Sequence, residues 1–335
     1  MPANLRDVAA VADVSVPTAS RVLSGSAYPV ADELRARVLK AAEELDYVPN
    51  AQARALLVGS SATVGVLAGD VGDPYFSLII DGVQDVATGA RVLVTICTTG
   101  RDIDRELEYF GLLQSHRVGA VIIAGSTLAE ERYAAGLRKR VASYLAGGGR
   151  VVAIGQPDLG VDRVLVTNAK GATALGRHLV DLGHRRVGIL AGLRTLASTI
   201  QRIDGIRAAV EGAGGSVVVL HGAATREGGE RGVRELLATN PAVTAVVGTA
   251  DQMAVGAMHA LSEQGISVPD EISVAGFNDI PAGLDVTPNL TTVQLPLREM
   301  GAQAARYALE SSRTPRSRTL HTRLLVRGST AVPRG

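Results

Sequence analysis

The stretch VSVPTASRVLSG, Val14–Gly25, is short, polar and nearly free of large apolar side chains, in a chain whose apolar share is 46%. It reads as a helix with two unlike faces. Ser15 is placed to cap that helix by accepting from the amide of Thr18. Pro17 falls in the first turn, where a missing N–H costs little. At helical spacing Ala19, Val22 and Leu23 share one side, while Val16, Pro17, Ser20, Arg21 and Ser24 share the other.

The flanks extend the pattern. Upstream, Leu5, Val8, Ala9 and Ala12 recur at helical spacing and Asp13 makes a short turn. Downstream, a third helix is expected from about Ala31 to Leu45, with Leu34, Val38, Ala41 and Leu45 inward. The middle helix thus carries one guanidinium among small hydrogen-bonding groups, a face that fits the major groove of DNA as the second helix of a helix-turn-helix. Arg21 can bond guanine bidentately, for roughly 1–3 kcal/mol of discrimination. Thr18 and Ser20 suit phosphate contacts, which set register. The plainer alternative is a helical cap on an enzyme. Charge does not separate the two: residues 1–59 hold six basic and seven acidic side chains, a balance of −1. A DNA-reading head of that balance must turn its acids away from phosphate, and its non-specific affinity should be weak.

Next comes YVPNAQARALLVGSS, residues 47–61. Asn50 can cap a short helix over residues 51–57, too short to be stable unless something packs on it. From residue 62 strands and helices alternate: TVGVLAG, RVLVTICTT, GAVIIAGS, RVVAIG, VLVTN, RVGILAG, VVVLHG, AVVGTAD and ISVAGFND are apolar runs separated by helical segments, with a last strand around residues 322–326. Continuous apolar strands separated by helices imply parallel sheets covered on both faces. Nine or more are too many for one ordinary sheet, so two similar lobes are expected.

Five motifs in order, LRDVAAVADVSVPTASRVLSG, LDYVPNAQARAL, LGHRRVGILAG, DQMAVGAMHAL and ISVAGFNDIP…TPNLTTVQLP, resemble the LacI/GalR family of transcriptional repressors over essentially the whole chain. The resemblance implies a three-helix helix-turn-helix head with a hinge helix, followed by an α/β two-lobe domain like the periplasmic binding proteins. The expected boundaries are 1–46 for the head, 47–60 for the hinge and 61–335 for the effector-binding and dimerisation domain. Its first lobe is expected over about 61–158 and 289–322, its second over about 159–288 and 323–335. The resemblance also implies roles. Val16, Pro17 and Arg21 fall where the family reads base edges. Ser15, Thr18, Ser20 and Tyr47 match backbone-contacting positions. Asn50, Ala53 and Arg54 join them, and Leu56 matches the leucine wedged into the minor groove, a step that unstacks bases in exchange for contacts to a bent duplex. Asp13 replaces the family's usual turn glycine, and aspartate tolerates a left-handed backbone better than most residues.

Ligand residues of such sheets lie just past the C-terminal ends of strands. Here those are Asp73, Tyr75, Phe76, Ser126, Ser198, Arg202, Thr249, Asp251 and Asn278, and the resemblance supports Arg202 and the Tyr75–Phe76 pair in particular. For Asp73, Thr249 and Asp251 helix capping is an equal alternative. Asn278 and Thr167 stand where the family commonly has carboxylates. That leaves Arg202 without an acidic partner from those positions and favours an anionic, phosphorylated or carboxylated effector, beside the sugar or sugar-derived metabolite otherwise expected.

Other chemistry finds no footing. The glycines at 147–149 and 212–214 do not complete a dinucleotide fingerprint. No phosphate loop and no nucleophile elbow occur, and His178 and His184 are six apart, not a helical metal spacing. No catalytic residue, cofactor or metal is expected. With Cys97 the single cysteine, no apolar run long enough to span a bilayer and no secretory signal, a cytoplasmic protein is expected. Its partners are a palindromic double-stranded operator, a small-molecule effector and a second copy of itself. The rivals are a sugar-transport solute-binding protein, which would need a signal peptide and no head, and a metabolite-binding enzyme on the same lobes. A gel shift with the protein's own promoter discriminates among them.

Overall fold

The computed structural model describes residues 3–24, 28–48, 63–125, 131–155, 159–312 and 314–334. The chain divides into two units, the head in one and residues 63–116 and 120–335 in the other. The head holds α1 (Leu5–Val11), α2 (Val16–Ser24) and α3 (Asp32–Glu44). Asn4 opens α1 with a capping box, accepting from Arg6 and Asp7 while Asp7 accepts back. Ser15 caps α2 as its sequence suggests, with Thr18 N donating to Ser15 Oγ at 3.3 Å. Val8, Ala19, Val22, Val38 and Ala41 form the buried centre. Asp13 adopts φ +50°, so the turn survives without glycine. Arg37 of α3 reaches across to stabilise it, donating to the Ala12 carbonyl at 2.6 Å, the Asp13 carbonyl at 2.9 Å and the Asp13 carboxylate at 3.1 Å.

Among the described residues the body has two six-stranded sheets. The first contains β1 (Thr63–Ala68), β2 (Leu93–Thr98), β3 (Ala120–Ile123), β4 (Arg150–Ile154), β5 (Asp162–Val166) and β11 (Ser317–Leu320), in the order β11-β5-β4-β3-β1-β2. The second contains β6 (Arg186–Ala191), β7 (Ser216–His221), β8 (Ala245–Gly248), β9 (Ser273–Asn278), β10 (Thr291–Gln294) and β12 (Arg323–Leu325), in the order β12-β10-β9-β8-β6-β7. Every pairing is parallel except β12 with β10. The central strands are buried along their length, with Val66 opposite both Ile96 and Ile122, and Ile189 opposite both Val219 and Val247. The helices are α4 (Pro74–Gly89), α5 (Ile103–Ser115), α6 (Glu131–Ala146), α7 (Asn168–Asp181), α8 (Ala197–Glu211), α9 (Arg226–Thr239), α10 (Asp251–Glu263) and α11 (Leu297–Leu309).

The lobes exchange chain at places that differ from the sequence expectation. β5 pairs with β4 in the first sheet, so the first crossing follows Val166 instead of falling near residue 158. β10 pairs with β9 in the second sheet, so the second crossing lies just before Leu297 instead of near 289. A short apolar run carries no mark of which sheet will take it; only its pairing partner decides. Strand β11, whose sequence SRTL is not apolar, was not expected at all. It is drawn to the edge of the first sheet by Arg316, whose backbone N–H donates to Asp162 Oδ1 at 2.6 Å and whose Nη2 donates to Oδ2 at 2.7 Å. The crossings on either side of the cleft are tied together: Thr322 N donates to Thr167 Oγ1 at 3.0 Å and Thr322 Oγ1 to the Thr167 carbonyl at 3.1 Å.

His184 holds the C-terminal segment to the second lobe. It is buried, with Nε2 at 2.9 Å from the Ala331 carbonyl and 3.1 Å from Ser273 Oγ, and Nδ1 at 2.9 Å from Thr244 Oγ1. Burial holds its pKa below the ordinary value of 6.5. A histidine with a depressed folded pKa contributes stability that is present above pH 6.5 and is lost as pH falls, because the unfolded chain takes the proton first. The expected result is that wild-type protein loses more thermal stability between pH 7 and pH 5 than His184→Gln does, measured by melting across that range. Parallel pH curves for the two proteins would remove this role.

Candidate DNA-reading face and interlobe cleft

In the head, Val16, Pro17 and Arg21 stand exposed on α2 while Ala19 and Val22 face inward. Ser20 and Thr18 are half-buried, and Ser15 Oγ lies 2.8 Å from Thr18 Oγ1. The Arg21 guanidinium lies 4.8 Å from the centroid of the Tyr28 ring. No acid sits on α2: Asp32 and Glu33 start α3 and Glu43 and Glu44 end it. Tyr47 is half-buried against the head core. Asn50, Ala53, Arg54 and Leu56, and in the body Ser126, lie outside the described residues.

The cleft between the lobes is built from strand ends. After β1, Asp73 caps α4 by accepting from Tyr75 N at 3.0 Å, and still faces the cleft. Burial raises its pKa, against the hydrogen bond and the nearby Arg101. Tyr75 and the fully buried Phe76 meet edge to face at 5.0 Å. The close seat of Phe76 demands glycine beside it: a Cβ on Gly69 would lie 2.8 Å from the ring and one on Gly125, at φ +109°, 2.9 Å.

From the other lobe, Ser198 and Arg202 stand one turn apart on α8 and both line the cleft. Arg202 is 6% exposed. Its Nε donates to Asn168 Oδ1 at 3.0 Å, its Nη1 donates to the Thr249 carbonyl at 2.6 Å, and its plane lies 4.1 Å from the Phe277 ring centroid. Burial lowers its pKa to about 10, opposed by Tyr75, Asp251 and Asp73. Arg202 is therefore not the free cation that its missing neighbours at 167 and 278 suggest. Two carboxylates from elsewhere in the chain replace the field, which weakens the case for an anionic ligand.

Thr249 lines the cleft, whereas Asp251 does not. Thr249 Oγ1 accepts from Gly192 N at 3.1 Å. Asp251 is fully buried and accepts from Thr292 Oγ1 at 2.6 Å and from Ile280 N at 2.8 Å, joining α10 to the loop after β9. Its pKa is pushed up to about 6 by burial. Neither capping nor ligand contact describes Asp251; it is a structural tie between elements. Asn278 is the opposite case. It holds φ +123° at the end of β9, is 5% exposed, lines the cleft, and its Oδ1 has no hydrogen-bond partner among the described residues. A buried acceptor left unpaired is costly, so this one is placed to receive a donor. Its neighbour Asp279, at φ +61°, is held by Arg327 at 2.6 Å and Gln294 at 2.8 Å.

Among the residues absent from the sequence-derived set that also line the cleft are Arg101 and Asn168. Arg101, at φ +60°, follows β2 and lies 5.2 Å from the Phe76 ring centroid. Asn168 follows β5. The rule that points to strand ends covers both. The free space is small, in cavities of about 30, 30 and 40 Å³, each large enough for water and none for a sugar ring.

Two family profiles match: bacterial regulatory proteins of the lacI family over residues 4–50, and the periplasmic binding protein-like domain over residues 177–330. The chain is 34% identical over 311 residues to the HTH-type transcriptional regulator GalR of Escherichia coli (strain K12), covering 92% of this chain and 88% of GalR. The chain belongs to the LacI family of bacterial regulatory proteins. It is a DNA-binding transcriptional regulator. Among solved structures, the transcriptional regulator CelR–cellobiose complex is 28% identical with a TM-score of 0.71, covering 98% of this chain and 99% of CelR. The lac repressor dimer bound to operator and the anti-inducer ONPF matches in fold, with a TM-score of 0.87 at 24% identity, over 99% and 100% of the two chains. In this LacI-family regulator the head supplies the exposed α2 face and the body supplies the cleft. No described helix is long and apolar enough to cross a membrane.

Proposed function

We propose that this regulator binds a palindromic operator as a homodimer and that a small hydroxylated metabolite in the interlobe cleft switches its operator affinity. The unpaired Asn278 Oδ1 carries the effector part: a buried acceptor facing a cleft calls for a ligand hydroxyl or amine. Around it the cleft mixes donors, Arg101 and Arg202, with the acceptor Asp73 and a pair of aromatic rings. That mixture suits a sugar-like molecule better than an anion, and CelR, a relative in fold and sequence, holds cellobiose. The residues act by binding and orienting, not by catalysis. Because the present cavities are only large enough for water, a ring-sized ligand requires the lobes to part about their crossings, a hinge motion.

Val16, Pro17 and Arg21 read base edges; Ser15, Thr18, Ser20 and Tyr47 hold the backbone; Asn50, Ala53, Arg54 and Leu56 belong to the hinge segment that closes on the operator centre. Dimerisation has a candidate surface on the edge strand β2, where Leu93 and Ile96 are 68% and 37% exposed. Coupling is reciprocal: an effector that weakens operator binding is itself bound less tightly by the operator complex.

The test is a gel shift with fragments of the regulator's own promoter, with and without candidate sugars, on wild type and Asn278→Gly. Glycine keeps the unusual backbone angle and removes the amide. Effector affinity is expected to fall about tenfold, the value of one hydrogen bond of roughly 1–1.5 kcal/mol, with operator affinity unchanged. Equal response of the two proteins to the same sugar would overturn the cleft assignment.

A further inference from the structure

Asn278 and Asp279 are consecutive non-glycine residues with positive φ, +123° and +61°. Such angles are uncommon outside glycine, and the strand ladder does not impose them. β9 ends at Asn278, whose neighbour in the sheet is Gln294 of β10. What holds the two residues is a set of side chains around Asp279. Arg327 Nη2 donates to Asp279 Oδ1 at 2.6 Å and Gln294 Nε2 donates to Oδ2 at 2.8 Å, so both carboxylate oxygens are engaged. The ion pair is largely shielded from water, its side chains 17% and 14% exposed. Arg327 is itself fixed beside β10: its Nη1 donates to the Leu290 carbonyl at 2.9 Å and its backbone N–H to Thr291 Oγ1 at 2.9 Å. One residue beyond Asp279, the backbone is held again, by Asp251 accepting from Ile280 N.

Asp279 does not line the cleft, but Asn278 does. The residue before them, Phe277, lies against the buried Arg202 guanidinium. The end of β9 therefore supports the cation of the cleft and presents its unpaired acceptor. A return to ordinary strand angles at residues 278 and 279 would swing the Asn278 side chain off its present direction. A buried acceptor gains by finding a partner, so without restraint nothing keeps this one waiting for a ligand.

We propose that Asp279 is a positioning residue of the effector site: held by Arg327 and Gln294, it locks the left-handed backbone that aims the Asn278 amide at the ligand, without touching the ligand itself. This rests on the reading of the cleft as the effector site.

The experiment is calorimetric titration of the full-length protein with ribose, glucose, galactose and cellobiose, with melting recorded for every variant. Asp279→Asn keeps a side chain that tolerates the left-handed backbone, but an amide accepts at one oxygen only and cannot hold both Arg327 and Gln294. It is expected to weaken the bound sugar about three- to tenfold, up to the loss caused by Asn278→Gly. Gln294→Met, which leaves the ion pair in place, is expected to weaken it by a smaller factor and carries the test if Asp279→Asn does not fold. Arg327→Lys, which keeps the charge, is expected to restore binding to within about twofold of wild type. The decisive reading is the double variant. A residue that acts through Asn278 adds nothing once Asn278 is gone, so Asn278→Gly with Asp279→Asn is expected to bind as Asn278→Gly alone does. A purely structural role gives losses that multiply, or a lower melting temperature with sugar affinity intact; either result overturns the positioning role. If Asn278→Gly weakens binding and neither Asp279→Asn nor Gln294→Met does, the cleft reading stands and only the positioning role falls. If Asn278→Gly binds as wild type does, or wild type binds none of the four sugars, both fall.

Discussion

Arg21→Ala is expected to weaken operator binding by about 2–6 kcal/mol, roughly 30-fold to more than 10,000-fold. One bidentate guanine contact is worth about 1–3 kcal/mol, and a dimer on a palindrome makes it twice. Arg21 is exposed on α2 and its backbone is ordinary helix, so the head should melt at an unchanged temperature. The loss should be specific: replacing the contacted guanine costs wild type heavily and costs the variant little. A phosphate-contacting residue behaves differently, since losing it lowers affinity on all sequences alike and flattens the salt dependence. Fluorescence anisotropy on the native operator and a guanine-substituted one separates the two. An alanine variant that binds the native operator as wild type does would remove α2 from the reading of DNA.

The largest stability effect is expected where α4 crosses α11. The helices touch through Gly82 and Gly301. A Cβ on Gly301 would fall on the Ile79 carbonyl oxygen and one on Gly82 on that of Arg298, in each case at 2.0 Å or less. The obstacle is backbone, which cannot rotate away as a side chain can. Overpacking usually costs 1–3 kcal/mol and occasionally more; Gly301→Ala belongs at the upper end, about 3 kcal/mol, or some 6–12 °C in melting temperature for a body of this size. Gly89→Ala, on the same helix α4 with open space around it, provides the control, expected within about 1 kcal/mol of wild type. Equal melting shifts for the two variants would show that the helices yield at the crossing.

Local patterns in the chain were enough for much of this. The head's helices, the Ser15 cap and the inward set Val8, Ala19, Val22 and Val38 follow from spacing and capping chemistry within a few residues. So does the alternation that builds the parallel sheets. The cleft was legible to first order, since Asp73, Tyr75, Phe76, Ser198, Arg202 and Asn278 all line it. Asp251 stands at a strand end, a place that points to a ligand or a cap, but its carboxylate is consumed by Thr292 and Ile280 N, partners 41 and 29 residues away. Positions 167 and 278 give Arg202 no acid, yet Asp73 and Asp251 act on it through space.

Periodicity and capping express interactions between residues three or four apart, so the order of amino acids alone specifies helices, strands and the two-faced α2. Sheet membership has no such local signature. β5 stays beside β4 and β10 beside β9, each the strand just before it, so neither crosses where its sequence position suggests, while β5 also takes β11 from 154 residues away, held there by Arg316 meeting Asp162. The unpaired oxygen of Asn278 likewise exists only once the elements around the end of β9 have packed, because an unmet hydrogen bond is a property of surroundings and not of a residue.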